Sequence, residues 1–162
     1  MVAQAIHDSD DEPARENTPS ELDELTHAEM CMLYRESADS IRFAKAHQWK
    51  SLGATLLVFA GMIALASLAP DNTTLTNLVI AVSFISSSAV IYMLVLYQVW
   101  QNTEREKLRG IAGHFSSFSQ FTRAIKSSRE ANVHRYTLLA FMIVAILLGN
   151  LLLVLSVSPL YR

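Results

Sequence analysis

Only a few residues in this chain combine a reactive type with a spacing that chemistry could use. His27 and Cys31 lie four apart, which places them on one helix face beside Met30 and Met32. Imidazole and soft sulfur suit copper(I) or zinc. A closed structural zinc site takes four strong ligands, and two are visible, so ordinary packing by Met and Cys is the expected role. His47 and His134 each precede a long apolar run and could meet where the runs begin. Paired histidines can ligate haem, but haem-binding membrane helices usually hold theirs within the span, and no apolar run here contains a histidine.

A third group lies inside the apolar runs. Ser83 and Ser87 share one helix face, and Asn150 follows the small pair Ala145-x-x-x-Gly149. Small residues four apart let helices approach closely, and Ser or Asn can hydrogen-bond across the contact. The same residues could line a path for an ion or small solute. Channels and transporters usually carry ionisable groups or broken helices at the midplane, and these runs carry neither. A packing seam is therefore the expected reading, with a Ser/Asn-lined path as the alternative. Glu104, Arg105, Glu106, Lys107 and Arg109 alternate in sign, as in a solvated helix with internal ion pairs. A Gly-rich phosphate loop, Gly-x-Ser-x-Gly, His-Glu-x-x-His and Cys-x-x-Cys are all missing from the sequence. The expectation is a non-enzymatic protein with no cofactor and no catalytic or metal residues.

The elements that position these residues follow from hydropathy. Hydrophobic residues make up 51% of the 162, and charged residues 17%, well below the roughly 25% of a soluble domain. Three uncharged runs, 51–69, 75–100 and 136–158, meet the roughly 17–25 residues that a bilayer-crossing helix needs. The N-terminus lacks a basic region followed by an apolar one, so no cleavable signal peptide is expected and a span must direct insertion. Arg35, Arg42, Lys45 and Lys50 precede the first run, and seven bases between Arg105 and Arg135 separate the second from the third. The turn Pro70-Asp71-Asn72-Thr73-Thr74 has no base. The positive-inside rule then puts the N-terminus and the long connection in the cytoplasm, and the turn and C-terminus outside. Trp49, Trp100 and Tyr136 fall at the cytoplasmic ends as an interface belt. Asn72-Thr73-Thr74 matches a glycosylation pattern, but Asp71 and Asn72 serve better as caps for the second helix.

Outside the runs, residues 1–17 are acidic and lack core residues, so disorder is expected there. Thr18-Pro19-Ser20-Glu21 is a helix-start signal, and the absence of Gly and Pro from there to Trp49 predicts an amphipathic helix over 18–50 that continues into the first span. Its apolar positions include Leu33 and Ile41. Past Trp100 the positions Leu108, Ile111, Phe115, Phe118, Thr122 and Ile125 step by three and four, predicting a heptad-like seam within a helical connection over 101–135. Gly110 and Gly113 weaken it, and Ser127-Ser128-Arg129-Glu130 signals a new start. The mixture of Phe and bases over 114–130 could suit single-stranded nucleic acid, which needs exposed aromatics in a basic groove. Here Phe115 and Phe118 lie on the apolar seam, Phe121 falls beside it, and no nucleic-acid partner is expected.

The predicted fold is thus an all-α integral membrane protein with three transmembrane helices, two of them extended into the cytoplasm as amphipathic stalks. The expected location is the bacterial inner membrane. The expected partners are the bilayer and either a second copy or another membrane protein. The interaction face would comprise Leu33, Ile41, Phe115, Phe118, Phe121 and Ile125; Ser83, Ser87, Ala145, Gly149 and Asn150 would pack the spans or line a path.

Overall fold

The computed structural model describes residues 20, 22–116 and 128–158, and all regular structure among them is helical. Helix α1 is Glu24–Ser67, α2 is Thr73–Ala112 and α3 is Ser128–Val157. Each is long and apolar enough to cross a membrane.

Helix α1 opens later than the Thr18 signal implies. Asp23 is its N-cap, accepting from the Thr26 amide at 3.2 Å, which satisfies one of the donors a helix start leaves over. Ser20 is used elsewhere: its hydroxyl donates to the His114 carbonyl at 3.0 Å and accepts from the Leu22 amide at 3.3 Å. That pair ties the entry of α1 to the end of α2, and the cap falls to the next suitable residue. From Glu24 the helix runs unbroken through Trp49 and the first apolar run. It stops before Pro70, whose ring disfavours helical geometry in the residue ahead of it.

Asn72 caps α2 through its side chain, which accepts from the Leu75 amide at 3.0 Å. As expected from sequence, α2 passes Trp100 without a stop. It ends at Ala112, with Gly113 as C-cap. The expected seam therefore does not continue along one helix to Phe115: two glycines within four residues leave the last turn with little to hold it, and the chain leaves the helix there. Phe118, Phe121 and Ile125 lie outside the described residues, as do 1–17 and Thr18. The third helix begins at Ser128, inside the predicted start signal.

Helices α1 and α2 form a long antiparallel hairpin, and α3 packs against both. Buried positions 44, 48, 52, 55, 59 and 66 on α1 and 142, 146, 150, 153 and 157 on α3 recur mainly at three and four, which is one helical face. Leu52, Phe59, Val79, Leu94, Met142, Ile146 and Leu153 fill the core. Outward, the spans present apolar side chains, with Leu57 75% and Ile85 70% exposed. An apolar exterior of that extent is what a lipid-facing bundle requires and what a water-soluble one avoids.

In the stalk part of the hairpin the seam is polar. Ser37, Ala44 and Gln48 of α1 and Gln98, Gln101, Glu104 and Ala112 of α2 are the buried residues, while Leu25, Met32, Leu33 and Phe43 stay exposed. The helix contact there is thus made by small and hydrogen-bonding residues.

Candidate functional site

Two polar layers cross the bundle. In the first, Asn150 Nδ2 on α3 donates to Ser87 Oγ at 2.6 Å and lies 3.4 Å from Ser83 Oγ. Both serines are anchored to their own helix, Ser87 Oγ donating to the Ser83 carbonyl and Ser83 Oγ to that of Ile80, each at 2.8 Å. Ser83 is 0% and Asn150 4% exposed, so the three sequence-selected polar residues meet each other inside one protomer. Gly149 faces the other way, toward α1: a Cβ there would come within 2.9 Å of Leu56 Cδ2 and 3.2 Å of Phe59 Cδ2. Ala145, one turn earlier, is half-buried against the core. Adjacent residues on α3 thus serve different neighbours, Gly149 by close approach to α1 and Asn150 by hydrogen bonding to α2.

The second layer, nearer the stalks, was not picked out from sequence. Gln48 Nε2 donates to the Leu94 carbonyl at 3.0 Å, and Gln101 Nε2 donates to Gln48 Oε1 at 2.9 Å. Gln98 Nε2 reaches Asn102 Oδ1 at 3.3 Å, and Asn102 Nδ2 donates to Tyr136 Oη at 3.1 Å. Arg135 donates to Asn102 Oδ1 at 3.0 Å and also to Asn132. This network fixes the register of all three helices where the apolar runs begin. Its only sequence signal was the pair Gln98 and Gln101, three apart on α2, with Gln48 on α1, and that signal has no meaning until the hairpin is aligned.

The predicted alternation of charge around position 104 resolves into one ion pair. Lys107 Nζ lies 2.7 Å from Glu104 Oε1, and Glu104 is 7% exposed. The Lys107 hydrogen bond holds the Glu104 carboxyl below the usual carboxylate range; burial opposes it, and the Ser37 hydroxyl and Trp100 side chain reinforce it. Beside this pair, an open groove of about 660 Å³ runs between α1 and α2, lined by Met30, Leu33, Ser37, Trp100, Glu104 and Ile111 among others.

Of the predicted interaction face, Leu33 is 42% exposed and lines the groove, while Ile41 is half-buried. Phe115 has left α2 and packs on α1, its ring centroid 5.7 Å from that of His27 and 6.1 Å from that of Tyr34. Toward the apolar runs, Phe43, His47, Tyr97 and Trp100 form a cluster of rings: Phe43 and His47 are 4.0 Å apart, His47 and Tyr97 6.0 Å, and Phe43 and Trp100 6.2 Å. His47 Nδ1 lies 3.1 Å from the Phe43 carbonyl, so its role is local. His134 is exposed. Cys31 Sγ lies 3.6 Å from His27 Nε2. Among the described residues no three His, Cys, Asp or Glu side chains converge on one point. No family model, curated protein or solved structure matches the chain.

Proposed function

We propose that the protein is a non-enzymatic, multi-pass protein of the bacterial inner membrane, its N-terminus and stalks in the cytoplasm, that assembles through those stalks as an oligomeric scaffold or interaction subunit. The observation that carries this is a contrast in where side chains are satisfied. The polar residues of the spans meet within one protomer, Asn150 on Ser83 and Ser87. The apolar residues of the stalk do not: Leu25, Met32, Leu33 and Phe43 remain exposed, and Leu33 borders a groove wide enough for side chains of another helix. Exposed apolar residues beside a groove on a helical pair are the usual footing for an additional helix. A second copy is the simplest occupant.

The alternative, a subunit whose Ser83, Ser87 and Asn150 line a conducting path, draws less support from the same contrast. Those groups face one another in a closed interior, and three helices enclose no lumen of their own.

Cross-linking tests the assembly. In a Cys31→Ser background, cysteine placed at Leu33 should form a disulfide-linked dimer on mild oxidation in membranes, and cysteine at Ile111 should do so as well. Absence of the dimer at both positions, with the protein present in membranes, would remove the stalk groove as the contact.

A further inference from the structure

The register of the hairpin leaves one layer of the molecule with two characters. The Gln48–Leu94 bond sets Gln48 level with Leu94, so Lys50 stands level with the stretch just before Leu94. At that level α2 is still apolar and exposed, and it stays so through Met93, Leu96, Val99 and Trp100. From Met93 to Trp100 is about 10 Å at 1.5 Å per residue. Through that layer α1 carries Arg42, Lys45 and Lys50, while α2 carries no charge. Arg42 is paired with Asp39 at 3.0 Å, whereas Lys45 and Lys50 form no ion pair among the described residues.

On the face of the hairpin that carries Trp100, this layer holds the ring cluster. Phe43, His47 and Lys50 follow at four and three along α1, and Met93, Leu96, Tyr97 and Trp100 recur at three, one and three along α2, so each set shares a helix face. Phe43, Trp100, Met93 and Leu96 are exposed. A cation beside amphipathic rings, with an apolar track leading away from it, matches the order of a phospholipid: headgroup phosphate, glycerol ester, acyl chain.

We propose that the Phe43–His47–Tyr97–Trp100 cluster with Lys50 binds the headgroup of an anionic phospholipid, the phosphate at Lys50 and the acyl chain running from Met93 toward the exposed Ile85 and Val82. This rests on the reading that the three apolar helices span a bilayer. The preference for a net negative headgroup comes from Lys50: near an anionic lipid surface it contributes attraction that a zwitterionic headgroup offsets with its own cation.

The only tryptophans are Trp49 and Trp100, so Trp49→Phe makes Trp100 a single reporter inside the cluster. The full chain carrying that substitution is reconstituted in vesicles containing brominated phosphatidylglycerol or brominated phosphatidylcholine at equal mole fraction. Trp100 should be quenched by the brominated phosphatidylglycerol with about fivefold stronger association than by the phosphatidylcholine, the size expected of one lysine in the field of an anionic surface. Adding Lys50→Gln should bring the ratio close to one. Equal quenching by both lipids with Lys50 in place would overturn the site, as would loss of the preference on adding inorganic phosphate to the buffer. Quenching by neither lipid would overturn the spanning arrangement as well.

Discussion

At the scale of single residues, Gly149 is the position where chemistry and space are most tightly coupled. Alanine would gain about 1 kcal/mol of helix propensity there. Its Cβ, however, would sit 2.9 Å from Leu56 Cδ2 and 3.2 Å from the buried ring of Phe59. The exposed end of Leu56 can move and Phe59 cannot, so the overpacking cost, typically about 1–3 kcal/mol, outweighs the gain. Gly149→Ala should lower thermal stability in detergent, followed by circular dichroism, while Gly53→Ala and Gly61→Ala, which meet nothing within 4 Å, should leave it level or raise it. Asn150→Leu should be milder than its burial suggests. It removes a bond across the helices, worth about 0.6 kcal/mol on average in membrane proteins, yet Ser83 and Ser87 keep their backbone acceptors. These residues were legible in the sequence because they interrupt long apolar runs. What each one touches was not, since adjacent positions on α3 serve different helices.

Among the elements, the α1–α2 hairpin was legible in outline and hidden in register. Unbroken helical sequence through Trp49 and past Trp100 implied two stalks continuous with their spans, and α1 and α2 have that form. The period of one helix says nothing about its offset against another, so the pairing of Gln48 with Gln101 emerged only from the packed bundle. Two helix ends differ from the sequence reading: α1 starts at Glu24 rather than after Thr18, and α2 ends at Ala112, before Phe115. Ser20 bonds His114 and Phe115 packs on His27, so these two ends meet. Gln48→Ala leaves the Gln101 amide without its acceptor in a buried layer, at a cost of about 1–3 kcal/mol. The double change with Gln101→Leu should therefore cost less than the two single changes summed, a coupling that a double-mutant cycle measures. Glu104 gives the stalk a pH dependence. Its carboxyl is held below the ordinary range by Lys107, so its contribution is complete above the unfolded value of about 4.3 and is lost as pH falls through the folded one. Wild-type stability should fall more between about pH 5 and pH 3 than that of Glu104→Gln.

For the whole molecule, the apolar exterior of the spans, the charged flanks and the polar interior layers fit one arrangement in a bilayer. Long uncharged runs are the strongest signal a sequence carries, because lipid admits few alternatives to a helix. The surface that meets a partner is harder to read, since an exposed apolar residue looks the same whether a second chain or nothing covers it. Orientation is directly testable: Cys31, exposed on α1, should react with a membrane-impermeant maleimide in inverted vesicles and stay unmodified in intact spheroplasts. The central claim, assembly through the stalks, is tested most directly by the protein mass of the detergent-solubilised particle from light scattering. The mass should be at least twice that of one chain and should drop to one chain on Leu33→Glu. A single-chain mass for the unmodified protein would contradict the account.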